Sequence, residues 1–170
     1  MAREKKIICY NLKMKILILA GVFLAGTVGY WLISPLFIDK TISEKLEDIM
    51  IDAAAPEATI ITLAEGSFMD ADSFHKAKGT VRLIEADGKY FVRLEDNFKV
   101  TNGPDLFVHF GKNGAYAGEA RISILKGNIG SQNYEVPADI DPFDYGEIWI
   151  WCRAFSVPFG HAELVLKENP

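Results

Sequence analysis

The sequence holds only two cysteines, Cys9 and Cys152. That is too few for a disulfide-stapled scaffold or a cysteine-rich zinc site. GxSxG, HExxH, CxxC and a phosphate-binding loop are all absent, so hydrolase and kinase readings have no support and no catalytic constellation is found. Cations are in deficit, 18 against 23 acidic residues. The deficit is uneven: residues 1–15 carry five cations and one anion, residues 39–170 carry 13 cations and 22 anions. An acidic domain repels phosphate, which argues against a nucleic-acid partner. There is no internal repeat, and the second half lacks any helical run long enough for an α/β fold.

What is present starts with one apolar run. Ile16 to Ile38 is 23 residues without a charge, and a hydrocarbon core of ~30 Å needs ~20 helical residues. The cations Arg3, Lys5, Lys6, Lys13 and Lys15 all precede it, so the positive-inside rule puts the N-terminus in the cytoplasm and everything after Asp39 outside. A cleaved signal peptide shares this architecture, but the run is long for an apolar region of ~7–15 residues and no Ala-x-Ala site follows. The reading is an uncleaved single-pass signal-anchor in the cell membrane, with the C-terminal domain periplasmic or extracellular. Gly21, Ala25 and Gly29 recur every four residues, a spacing that lets two helices approach and offers a weak homodimer contact.

After the anchor the period is helical. Ile42, Leu46, Ile49, Met50 and Ala53 share one face, Thr41 with Glu44 fits a capping box, and Pro56 ends the pattern. Residues 39–57 are therefore expected to form a short amphipathic stalk helix (Asp39–Ala55) and linker, with a strand at Thr59–Leu63. From Gly66 the period becomes two. Val81 and Leu83 alternate with polar neighbours, Asp87-Gly88 signals a hairpin, and Tyr90, Val92 and Leu94 alternate beyond it. Leu106, Val108 and Phe110 oppose Phe107 and His109. Ile148, Ile150, Cys152 and Ala154 oppose Trp149, Trp151, Arg153 and Phe155. Ala162, Leu164 and Leu166 form one face of a last strand. The domain plan is a basic tail at 1–15, a transmembrane helix at 16–38, a stalk at 39–57 and an all-β antiparallel sandwich at 58–167.

Four blocks then occur in order: Gly66-Ser67-Phe68 with His75-Lys76-Ala77-Lys78-Gly79-Thr80-Val81; Phe98 with Gly103-Pro104-Asp105-Leu106-Phe107-Val108; Leu125 to Tyr134; and Ile148 to Leu164. In these the chain resembles the DM-13 domain, over about residues 66–166. The resemblance implies a β-sandwich exposed outside the cytoplasm, with an electron-transfer role centred on the cysteine that stands between the aromatic strand and the Phe-Gly-x-Ala ending.

Two readings of Cys152 follow. As a thiolate it is a redox group, provided solvent and partner reach it. As a residue on the face of Ile148 and Ile150 it is a small core hydrophobe. His75 and His161, both near strand ends, are the candidate metal ligands; His109 and His161 sit on the polar parity of their strands, opposite Cys152. Asp139, Asp141 and Asp144 in one loop, and Asp70 with Asp72 in another, are oxygen donors without the spacing of a calcium loop. No pattern names a cofactor. The chain is thus either a membrane-anchored redox module with an envelope or redox partner, or a surface binding module in which Cys152 is core.

Overall fold

The structure, a computed structural model, describes residues 2–34, 37–50 and 60–167; the side chains of residues 2–13, 31–33 and 50 lie outside the description. The chain divides into two compact units, residues 1–37 and 38–170.

The first unit is one helix, α1 (Ala2–Ile33). It takes in the basic tail and ends before the expected Ile38, two residues ahead of Pro35, which has no N–H to give and disfavours helical backbone in the residue before it. Ile16, Leu17, Ile18 and Leu19 are all exposed. Consecutive helical residues stand about 100° apart around the axis, so α1 is apolar on every side there. Among the described residues no helix is long and apolar enough to cross a membrane.

The second unit is all β. Sheet one has the order β12 (Val165–Leu166), β1 (Ile60–Ser67), β4 (Thr80–Ala86), β5 (Lys89–Leu94), β9 (Gln132–Glu135). Sheet two has the order β2 (Met69–Asp70), β11 (Val157–Glu163), β10 (Glu147–Cys152), β7 (Leu106–Lys112), β8 (Ala115–Ile124). A small ladder pairs β3 (Ala77–Lys78) with β6 (Lys99–Val100). The five-stranded sheets are antiparallel and face each other: Val81, Leu83, Val92 and Leu94 of one meet Val108, Phe110, Ile148 and Ile150 of the other in a single core. Alternation produces this directly, because a period of two puts one side of every strand inward. The Asp87-Gly88 hairpin forms as expected, both residues at positive φ (51° and 72°). Asn113-Gly114 makes a second turn of the same kind, at 57° and 77°, between β7 and β8. The final run is divided: β11 belongs to sheet two, and after Leu164 the chain crosses to sheet one as β12.

The stalk differs from expectation. In its described part, Asp39–Ala55 is an extended strap followed by a short 3-10 turn at Leu46–Met50; residues 51–55, and Pro56 after them, lie outside the described residues. Thr41 bridges Ile129 in parallel. Ile42 N–H donates to the Ile129 carbonyl at 2.9 Å, and Glu44 N–H to that of Ser131 at 3.0 Å. The physical reason is where the polar groups find partners. The Glu44 carboxylate, expected to cap a helix, instead accepts from Lys126 Nζ and from Asn133 N–H. Leu46 and Ile49 still use their apolar face, packing on Ile84, Ala86 and Phe91 of the outer side of sheet one. The sandwich unit therefore begins at the strap and not at residue 58.

Candidate functional site

Cys152 ends β10, the central strand of sheet two. It is opposite Leu106 on one side and Val157 on the other. Its exposure is 0% and it belongs to the main core. The inward parity read from the sequence is correct, and the thiol is free. The ladder partner of Cys152, Leu106, is also approached closely by Gly103. A Cβ at Gly103 would lie 2.7 Å from Leu106 Cδ2 and 2.9 Å from Phe159 Cζ. Gly103 is not among the glycines at positive φ, so what favours glycine here is the close approach of these two side chains and not the backbone conformation. Two surface grooves are lined elsewhere: one of about 390 Å³ by residues such as Glu44, Phe91 and Lys126, another of about 510 Å³ by residues such as Tyr90, Ile140 and Phe143.

The histidines go to separate places. His75 Nδ1 pairs with Asp72 Oδ2 at 2.7 Å, and its ring packs on Phe159 at 4.4 Å between centroids. The hydrogen bond from His75, with the backbone N–H groups of His75 and Phe74, brings the Asp72 carboxyl down to about 2. His161 stacks instead on Trp149, at 4.7 Å and 19° between planes. No described contact joins the two imidazoles, and among the described residues no group of three or more His, Cys, Asp or Glu side chains could hold a metal ion. The loop acids have local partners: Asp141 accepts from Phe143 N–H, and Asp70 from Ala77 N–H and Lys76 Nζ. On α1, an added Cβ at Gly21 or Gly29 of the Gly21, Ala25, Gly29 stripe would meet nothing within 4 Å.

The outer side of sheet two is aromatic. Trp149 and His109 are buried although they point away from the main core. They are covered by one another's neighbours: Tyr116 stacks on Trp151 at 3.8 Å and stands edge-on to His109 at 5.4 Å. Arg153 and Arg121 lie over the Phe107 ring, at 4.8 and 5.4 Å. Trp149 Nε1 donates to Glu147 Oε2 at 2.7 Å, and Gly114 N–H to Glu147 Oε1 at 2.7 Å, which satisfies a carboxylate that is itself buried. Burial, with Arg121 adding to it and a bond to the Ala117 carbonyl opposing it, pushes His109 below its ordinary value. Phe155, expected on this face, lies beyond the end of β10 and is exposed. Met69 was not singled out by sequence, because β2 is too short to show a period, yet it stands opposite His161 in the ladder.

A model of the electron transfer DM13 family matches residues 67–164. That is more than half of the chain, and the chain belongs to this family. None of the curated proteins and none of the solved structures matches it.

Proposed function

We propose that this DM13 family member is a membrane-anchored redox module, its sandwich carried outside the cytoplasm and exchanging electrons with a partner in the envelope. The family match over residues 67–164 carries the redox part of this reading. The anchor is supported by the uncharged run Ile16–Ile38 behind five cations and by the exposed apolar residues Ile16–Leu19, which surround α1 on all sides there. A stretch that is apolar all round has no single stripe to bury against a domain.

Within the outer domain Cys152 is the one thiol the sequence offers, and it is the redox group under this reading. Its complete burial favours a second reading in parallel: a surface module that binds an envelope protein or ligand, with Cys152 as packing. A titration separates them. The full chain in a Cys9→Ser background, in detergent micelles, is reduced, freed of reductant and titrated with ferricyanide, beside the same chain carrying Cys152→Ala. The redox reading expects oxidising equivalents to be consumed by the parent and not by the variant. No consumption, together with a spectrum free of visible bands, overturns it in favour of the binding module. Protease added to intact cells tests the anchor: it should remove the region after Asp39 and leave a membrane-bound stub.

A further inference from the structure

A row of opposed residues crosses the outer side of sheet two. Met69 on β2 faces His161 on β11, His161 faces Trp149 on β10, and Trp149 faces His109 on β7. Directly opposed residues share a face, with Cβ atoms about 4.5–5.5 Å apart. Met69 is half exposed at the sheet edge. His161 is partly exposed, and its ring nitrogens have no hydrogen-bond partner among the described residues.

The Trp149 indole, between His161 and His109 in this row, is held from three sides. The buried Glu147 carboxylate fixes its N–H, His161 lies flat on its face, and the missing side chain of Gly111 makes room for its edge, since a Cβ there would collide with Trp149 Cδ1 and Nε1. An indole whose N–H is bound to a carboxylate has a more electron-rich ring, and the face of that ring is already its negative side.

We propose that Met69 and His161 form a binding site for a soft monovalent cation, copper(I), beside the face of Trp149. A thioether is a soft donor that selects copper(I) over magnesium or calcium, and imidazole suits copper as well. His161 lies on Trp149 at 4.7 Å between ring centroids, so a cation bound at its ring nitrogen sits beside the indole and is sensed by its fluorescence. The acidic balance of residues 39–170 raises the local cation concentration. The site uses neither Cys152, which faces the core, nor His75, which is paired to Asp72. It stands whether or not the domain passes electrons.

The test is an anaerobic copper(I) titration of the full chain in detergent, in a Cys9→Ser background, against a chromogenic copper(I) chelator. The parent should take up one equivalent with partial quenching of tryptophan fluorescence. Met69→Leu and His161→Phe, which keep the bulk and the ring stack, should each weaken binding on the order of tenfold or more, with unchanged circular dichroism, while Cys152→Ala retains it. No uptake, uptake unaltered in both variants, or uptake lost only in Cys152→Ala would each overturn the proposal.

Discussion

Glu44 and Lys126, 82 positions apart, meet as a bidentate pair, with Lys126 Nζ 2.8 Å from each carboxylate oxygen of Glu44. The same carboxylate accepts from Asn133 N–H at 2.7 Å, and the same ammonium donates to the Asn133 carbonyl at 2.6 Å. The pair fastens the strap to β9. Glu44→Ala leaves the part-buried Asn133 N–H without its acceptor and Lys126 with the Asn133 carbonyl in place of its carboxylate, and the expected loss is about 1–2 kcal/mol, above that of an exposed ion pair. A urea unfolding midpoint equal to the parent's would show that the strap is held by its backbone alone.

Cys152→Ala should cost roughly 1–2 kcal/mol, less than truncating a buried leucine, because only one sulfur's volume is emptied. Cys152→Ser should cost at least as much, since its hydroxyl finds itself among Leu106, Ile148 and Ile150 in need of a partner. Alkylation of the folded protein should run at roughly a thousandth of the denatured rate or less, a protection of about 4 kcal/mol. A rate that low makes Cys152 structural and takes the thiol out of the redox reading, whereas alkylation at near-denatured speed would contradict the burial and favour the redox reading.

Gly103→Val should lose about 1–3 kcal/mol through overpacking against Leu106 and Phe159. Gly103→Ala decides the cause. Alanine already brings the Cβ contact, so most of the loss should appear in it; a loss confined to valine would point to β-branching instead.

Because burial lowers His109, the folded state keeps that imidazole neutral where the unfolded chain, titrating near 6.5, already takes up a proton. Its contribution is therefore complete above that value and is lost as pH falls below it. Unfolding midpoints should be level between about pH 8 and 7 and fall below about 6.5, and His109→Gln should flatten that fall. Asp72, lowered to about 2, acts in a separate and more acidic window, below its ordinary 3.8. A profile identical in His109→Gln would assign the slope to other groups.

Much of the sandwich is legible because period two is local. Val81, Leu83, Val92 and Leu94 turn inward as their alternation requires, and the parities of Cys152 and His109 follow from the same count. The strap is not legible, since Ile42, Leu46 and Ile49 fit helical spacing while the groups that hold the segment extended, Ile129, Ser131 and Asn133, lie almost ninety positions away. Asn113-Gly114 carried a turn signal as strong as Asp87-Gly88 and was readable. The division of the last strand at Leu164 was not, because its alternation continues unbroken while the chain changes sheets. The pairing of Met69 with His161 depends on register, which no local pattern encodes for a two-residue strand.

Gly127 has an ordinary backbone, yet a Cβ there would strike the Lys40 carbonyl and come 2.7 Å from Ile42 Cγ1. The three atoms nearest to such a Cβ all belong to the strap. Among family members, the residue at this place should then track what precedes the domain: glycine where a strap is threaded through, larger side chains where that segment is missing or takes another course. One position inside the domain would report, across evolution, how each member is joined to the rest of its chain.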